Sequence, residues 1–389
     1  MNGKNTSDYI LNYYPTYLDR FLGSKIIKFR DQDLKRDFLI HLVSSLLTKY
    51  FFTKENEFRL HSSILRSIYG KWYNYYMDYL IESGIIIVYK NHQKGKRSRQ
   101  YQLSNSIVSS NIVRYLNGDE ILLKKRKNWV DFNLRSNNSP ICSSIRERLI
   151  SDLYSVKIQD ELACLELLSK DHTSSLELER DNYAVDCIRQ EQIYFHFDDY
   201  GRFHTPFTIL PKRLRNNCLT IEDVDISEVD IPNSQPLFLL KLIHLNSHIQ
   251  IEKGELELFS TLVRDGNFYQ HLSKVFGNKN IKEVKKLVFE ILFGQNNPNS
   301  LSKIFCGFFP TIFNFLKTIK RERGDYRWVS HQLQKLESDF IFNRVIKKIY
   351  LKDPNIKLFT VHDSIFCRKD RYDFVFNIFL LEIKKEFDF

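Results

Sequence analysis

The sequence predicts a helix-rich α+β fold with a small antiparallel sheet, on three observations. Apolar residues recur at helical spacing through most of 143–190, 236–293 and 311–351. Strand-type runs are few and short, at Gln192–Phe197, Val224–Ile231 and Lys357–Val361. The chain is also long and apolar enough for real cores, with 389 residues, 43% hydrophobic and 14% aromatic, the size of two or three domains. With 13 Gly, 9 Pro and no fixed-period repeat, collagen-like, proline-rich, solenoid and propeller classes are excluded.

The N-terminal part reads as helices followed by a hairpin. Residues 31–52 place Leu34, Phe38, Leu42, Leu46 and Leu47 on one helical face, and His61–Tyr69 is a second amphipathic stretch. A third helix is expected over Lys71–Ser83, with Trp72, Tyr75, Tyr76, Tyr79 and Leu80 at helical spacing and Gly84 as its stop. Two strand-type runs, 85–90 and 99–104, then flank a basic turn containing Gly95. This is the order of a winged helix-turn-helix, with the basic turn as wing. Lys90, Lys94, Lys96, Arg97 and Arg99 lie there with no acid among them, so Lys94, Lys96 and Arg97 at the tip are candidates for nucleic-acid backbone contact. The run Lys124-Lys125-Arg126-Lys127 reads as a solvated charge run, with a path for a nucleic-acid strand as the alternative, and the polar stretch 131–142 reads as a linker.

The formal net charge of +11 and pI near 9.1 favour a polyanionic partner, either nucleic acid or a membrane surface. Six well-separated cysteines without a CxxC pair exclude a disulfide framework and a zinc ribbon, and read as reduced core thiols. No apolar run approaches the roughly 18 residues of a membrane span, and the first residues lack a signal-peptide pattern. A soluble, cytoplasmic protein is expected.

Four separated segments carry candidate chemistry. A Gly-Arg turn, Gly201-Arg202, follows Asp198 and precedes His204. Asp230 ends an apolar strand-type run. Lys285, Phe289 and Phe293 share one stripe of a helix that Gly294 ends. Last, His362-Asp363-Ser364 interrupts an apolar run, 358–366. Each has a bland explanation: a solvated turn acid, a core Phe stripe, a structural His-Asp pair. The ordered set is what points further.

In that order the segments resemble the motifs of family A DNA polymerases and their relatives, the bacteriophage-type single-subunit RNA polymerases, over about residues 192–370. Two weaker echoes are Asp265-Gly266-Asn267-Phe268-Tyr269 and the stretch Gln334–Ile341. The resemblance implies a right-hand polymerase with palm, fingers and thumb. It implies Asp230 and Asp363 as catalytic aspartates holding two Mg²⁺, with Mn²⁺ as the alternative ion, and Lys285 against the triphosphate. Gln235, Phe289, Phe293 and Gly294 would surround the incoming nucleotide, and Arg202, His362 and Gln334 would touch the primer and template. Nucleotidyl transfer needs two divalent ions clamping the attacking and leaving oxygens, and Mg²⁺ takes few carboxylates plus phosphate oxygens and water. A Lys on the nucleotide side neutralises the triphosphate.

The pattern also departs from the family. Ile281 stands where an Arg precedes the fingers Lys, and Phe293 where a Tyr is typical. Ser364 resembles the RNA polymerase branch, and Gln235 replaces the Glu with which DNA polymerases block a ribose 2′-hydroxyl. The spacings, 55 residues from Asp230 to Lys285 and 78 from Lys285 to Asp363, resemble the compact DNA branch. The expected organisation is a winged-helix-like DNA-binding domain (1–110), a linker with a reduced helical thumb (111–190, its helices over 143–190), and a palm and fingers core (191–389). The expected function is a compact DNA polymerase acting in replication of a small genetic element, on a DNA template and primer with nucleoside triphosphates and no membrane. An RNA polymerase or primer-making enzyme on the same site is one alternative, and a non-catalytic DNA-binding replication initiator is the other.

Overall fold

The computed structural model describes residues 9–53, 56–91, 99–135, 141–169, 175–277, 279–295 and 300–387. It is helix-rich with small antiparallel sheets, an α+β fold. The chain divides into two units, the first comprising Met1–Arg135, Ile158–Tyr194 and Ile209–Cys218, the second Ser136–Lys157, Phe195–Thr208 and Leu219–Phe389. Residues 143–190, one segment in the sequence reading, are thus shared between them. Among the described residues no helix is long and apolar enough to cross a membrane.

The first unit begins with β1 (Ile10–Pro15), followed by the hairpin β2 (Ile26–Phe29) and β3 (Gln32–Lys35). Here the sequence expectation of a helix from residue 31 is corrected. The chain reverses at Arg30, whose φ is 55°, pairs Phe29 with Gln32, and turns helical only at Arg36–Thr53. Leu34 satisfies a period of two as well as of 3.6, so its burial at 1% exposure does not distinguish strand from helix. Next come β4 (Phe58–Arg59), the helices Ser62–Tyr69 and Tyr73–Glu82, and the strands β5 (Ile86–Lys90) and β6 (Gln100–Leu103), in the sheet order β4-β6-β5. Gly84 stops the second of these helices by a left-handed φ of 67°, which lets the Ile85 and Gly84 amides bond the Leu80 and Ile81 carbonyls. Finally β7 (Ile112–Asn117) closes on β1. Leu39, Val43, Leu47, Leu80, Ile85 and Ile107 fill the core. The buried Asp186, on the helix Ser175–Arg189, accepts from Tyr13 Oη at 2.7 Å and pairs with Arg114, tying that helix to the β1–β7 pair.

The expected linker 131–142 is corrected in part: the helix Glu120–Arg135 runs into it before the next helix, Ser143–Leu153, begins. Similarly, of the strand expected over Gln192–Phe197 only His196–Phe197 pairs, as β9 of a short hairpin.

The second unit is built on a five-stranded sheet. Its strands are β8 (Val156–Ile158), β11 (Leu219–Ile221), β12 (Val224–Val229), β13 (Leu358–Val361) and β14 (Ser364–Arg368), in the order β13-β14-β12-β11-β8. The separate hairpin pairs β9 (His196–Phe197) with β10 (Phe203–His204). The central pairings are antiparallel, Val229 opposite Ile365 and Val361 opposite Ser364. Alternation puts Phe359 and Phe366 on one face, their rings stacked at 4.6 Å. Helices pack around the sheet on aromatic contacts such as Phe238–Phe340 and Phe340–Phe379. One of them, Trp328–Ser338, continues as a π-helical stretch, Asp339–Ile346, into Lys347–Lys352.

Candidate functional site

The site is assembled at the end of the β12–β14 pair. Because β12 ends at Val229 and Val229 faces Ile365, Asp230 emerges beside Ser364, and Ser364 Oγ lies 3.0 Å from both Asp230 Oδ1 and Glu228 Oε1. His362 and Asp363 are the two residues between β13 and β14, so Asp363 is carried on a tight hairpin loop beside Asp230. Of the two, His362 has the left-handed φ, 56°. Sequence segments more than 130 residues apart thereby present two carboxylates at one strand end.

Besides Glu228, a further carboxylate, Glu337, stands near the two aspartates. Glu337, on the helix Trp328–Ser338, is 2% exposed and accepts from Arg202 Nη2 at 3.0 Å, from Ser234 Oγ at 2.8 Å and from Gln235 Nε2. Ser234 and Gln235 open the helix Ser234–Leu245, so that helix turns its N-terminus toward the acids, where its dipole favours negative charge. Arg202 comes from the β9–β10 loop, which Asp198 shapes by accepting from the Tyr200 and Arg202 amides at 2.9 Å each. Burial raises the Asp198 pKa, but bonds from His204 and those amides outweigh it and hold the carboxyl below the usual range.

Asp363 has the opposite balance. Burial, then the charges of Glu337 and Asp230, push it up to about 8, against which Ser234 gives a smaller downward pull. Crowded acids of this kind are a fit for divalent cations. Asp230 and Asp363 are the donors in question, since Glu337 is occupied by Arg202, Ser234 and Gln235. Among the described residues no group of three or more His, Cys, Asp or Glu is placed to hold a metal ion.

The helix Ile281–Phe293 turns Val284, Val288, Ile291 and Leu292 to the core and leaves Lys285, Phe289 and Phe293 on the other face. The Phe stripe is therefore not core packing: Phe289 is 37% exposed, and its ring stacks on Phe293 at 5.4 Å. Lys285 Nζ lies 5.2 Å from the centre of the Tyr269 ring. Burial and then the charge of Asp363 push the Tyr269 hydroxyl well up, which puts Tyr269 in the electrostatic reach of both Lys285 and Asp363. Gly294 is required by close approach and not by a left-handed backbone: its φ is −81°, and an added Cβ would strike the Glu290 carbonyl oxygen.

The structure brings Arg202, Asp230, Gln235, His362 and Asp363 together, with Lys285 linked through Tyr269. Gln334 sits half-buried one turn before Glu337 on the same helix. The His362 ring meets His204 edge-on at 6.4 Å. Lys94, Lys96 and Arg97 lie outside the described residues. Sequence reasoning missed Glu337, Ser234 and Tyr269 as members of the site. A Glu between Leu336 and Ser338, two residues after Lys335, reads as solvated on a helix, and only the facing Arg and Gln identify it as buried.

No protein-family model matches the chain, and no curated protein matches it either.

Proposed function

We propose that the chain is a template-directed nucleotidyltransferase, most closely a compact family A-like DNA polymerase, serving replication of a small genetic element. The observation that carries this reading is the convergence of Asp230 and Asp363 on one strand end, with the Lys285 helix linked to Asp363 through Tyr269. On this reading the five-stranded sheet is a palm and the helix Ile281–Phe293 belongs to the fingers. Two Mg²⁺ bound by Asp230 and Asp363 would activate the primer 3′-hydroxyl and neutralise the leaving pyrophosphate. Lys285 then attracts the triphosphate, Phe289 and Phe293 offer an aromatic face to the base, and His362 lies at the primer end. Arg202, held by Glu337, is a fixed cation for the primer–template backbone. A primer-extension assay offering dNTPs or NTPs tests the reading. Extension with neither would overturn it, and extension with NTPs alone would move it to the RNA polymerase branch.

Lys285→Ala is expected to slow addition by roughly 100-fold, the scale of a lost charge-stabilising group. Unchanged steady-state kinetics would make Lys285 a plain surface residue.

In the first unit, the order of helix Arg36–Thr53, β4, helices Ser62–Tyr69 and Tyr73–Glu82, then the β5–β6 hairpin supports a winged-helix DNA-binding domain. Neutralising Lys94, Lys96 and Arg97 together is expected to weaken DNA binding about equally for all sequences. The log–log salt slope should fall by about 0.9 for each lost contact to duplex phosphate. An unaltered slope would deny the hairpin a role on DNA.

A further inference from the structure

The helix Pro310–Arg323 places Asn314, Lys317, Thr318 and Arg321 at spacings of three, four and seven, on one stripe. With Lys320 and Tyr326 they line an open groove of about 500 Å³, and no carboxylate lines it among the described residues. Lys317 and Arg321 are exposed and make no ion pair there among the described residues, so their charge faces solvent uncompensated. Elsewhere on the same helix Glu322 lies 3.4 Å from His248. Lys320 is different: it is 6% exposed, and its Nζ donates to the carbonyls of Ile291 at 3.1 Å and Gly294 at 2.9 Å. It thus ties the groove to the C-terminal end of the helix that bears Lys285, Phe289 and Phe293. Burial pushes its pKa down to about 8, a cost that an anion in the groove would offset. Tyr326 adds an aromatic surface, 41% exposed, at the edge of this cationic floor.

Cations without acids point to phosphate, and an exposed aromatic beside them points to a base attached to that phosphate. We propose that this groove binds a single nucleic-acid strand, with Lys317 and Arg321 on backbone phosphate and Tyr326 as a stacking platform. Backbone contact and stacking are tolerant of sequence, so the groove tracks a strand without reading it. The Lys320 bonds join the groove to the C-terminal end of the Lys285 helix.

The test uses the full chain and a short mixed-sequence single-stranded oligonucleotide, with binding followed by fluorescence anisotropy across a salt series. Lys317→Ala combined with Arg321→Ala is expected to lower affinity and to reduce the log–log salt slope by about 0.7 for each lost single-strand phosphate contact. Tyr326→Ala is expected to lower affinity about tenfold at unchanged slope, as loss of a stacked base does. The charge-matched control Lys384→Ala combined with Lys385→Ala should change neither, and an equal loss in that control would overturn the proposal in favour of general charge. Tripolyphosphate is the second probe. If the groove variants lose tripolyphosphate but keep the oligonucleotide, the ligand is a free polyphosphate and the strand proposal is wrong; if they keep both, the groove binds neither. Asp363→Asn separates this proposal from the polymerase reading. It should leave oligonucleotide affinity and slope intact, so a chain without extension activity can still pass the groove test, and an active enzyme can fail it.

Discussion

Asp363→Asn is expected to reduce nucleotide addition by about three orders of magnitude, roughly 4 kcal/mol of transition-state stabilisation, while DNA affinity changes little. The variant keeps the shape of the β13–β14 loop and removes one of the two carboxylates that would hold the divalent ions. Its stability carries a second signature. Burial and the charges of Glu337 and Asp230 push the Asp363 carboxyl up from the usual range near 4 to about 8, so the folded state holds this proton more tightly than the unfolded chain. Its contribution to stability is complete below about pH 4 and is lost as the pH rises through about 8. The Asn side chain has no proton to lose, so the variant should gain Tm relative to the parent between pH 5 and pH 8 in chelator. Millimolar Mg²⁺ should raise the parent's Tm more at pH 8 than at pH 5, and should leave the variant nearly unmoved. A parent whose Tm ignores Mg²⁺ at both pH values would remove the metal from the reading.

Glu337→Ala is expected to cost about 3 kcal/mol of folding stability, the scale of breaking a buried ion pair from one side, measured by urea titration. Arg202 would keep its charge with its partner gone, and Ser234 and Gln235 would lose their shared acceptor. Glu337→Gln retains the shape and part of the hydrogen bonding and should cost less. Where Glu337→Gln folds normally, its effect should fall on kcat more than on KM, because Arg202 and Gln235 would sit in altered positions beside Asp363. Full activity in a folded Glu337→Gln chain would make the network purely structural.

Much of this fold can be read locally. The Ile281–Phe293 helix is visible in its stripe of Val284, Val288, Ile291 and Leu292, and the β5–β6 hairpin in two strand-type runs about a basic turn. Gly84 announces the end of a helix because the left-handed backbone there suits glycine. Short elements were not legible. Residues 32–35 fit strand and helix alike, and pairing with β2 decided between them. Gln192–Tyr194 has strand-type residues without becoming a strand, while Asp131–Arg135, the start of a stretch that reads as a linker, continues a helix.

The same division runs through the site. Asp230 and Asp363 stand out in the sequence because each interrupts or ends an apolar run, and Lys285 because it leads a stripe of two aromatics. Those local patterns determine which residues are available for chemistry. Their ionisation and their company come from elsewhere in the chain. Antiparallel pairing of β12 with β14 brings Asp230 against Ser364, and packing of the Trp328–Ser338 helix puts Glu337 among Arg202, Ser234 and Gln235. Charge interactions in a water-poor interior depend on separation in space and on burial, neither of which a one-dimensional spacing contains. The sequence by itself therefore determined the helices, the hairpin and the candidate acids. The tertiary structure alone decided that Asp363 is the carboxyl pushed upward and that Glu337, inconspicuous in the sequence, anchors the site.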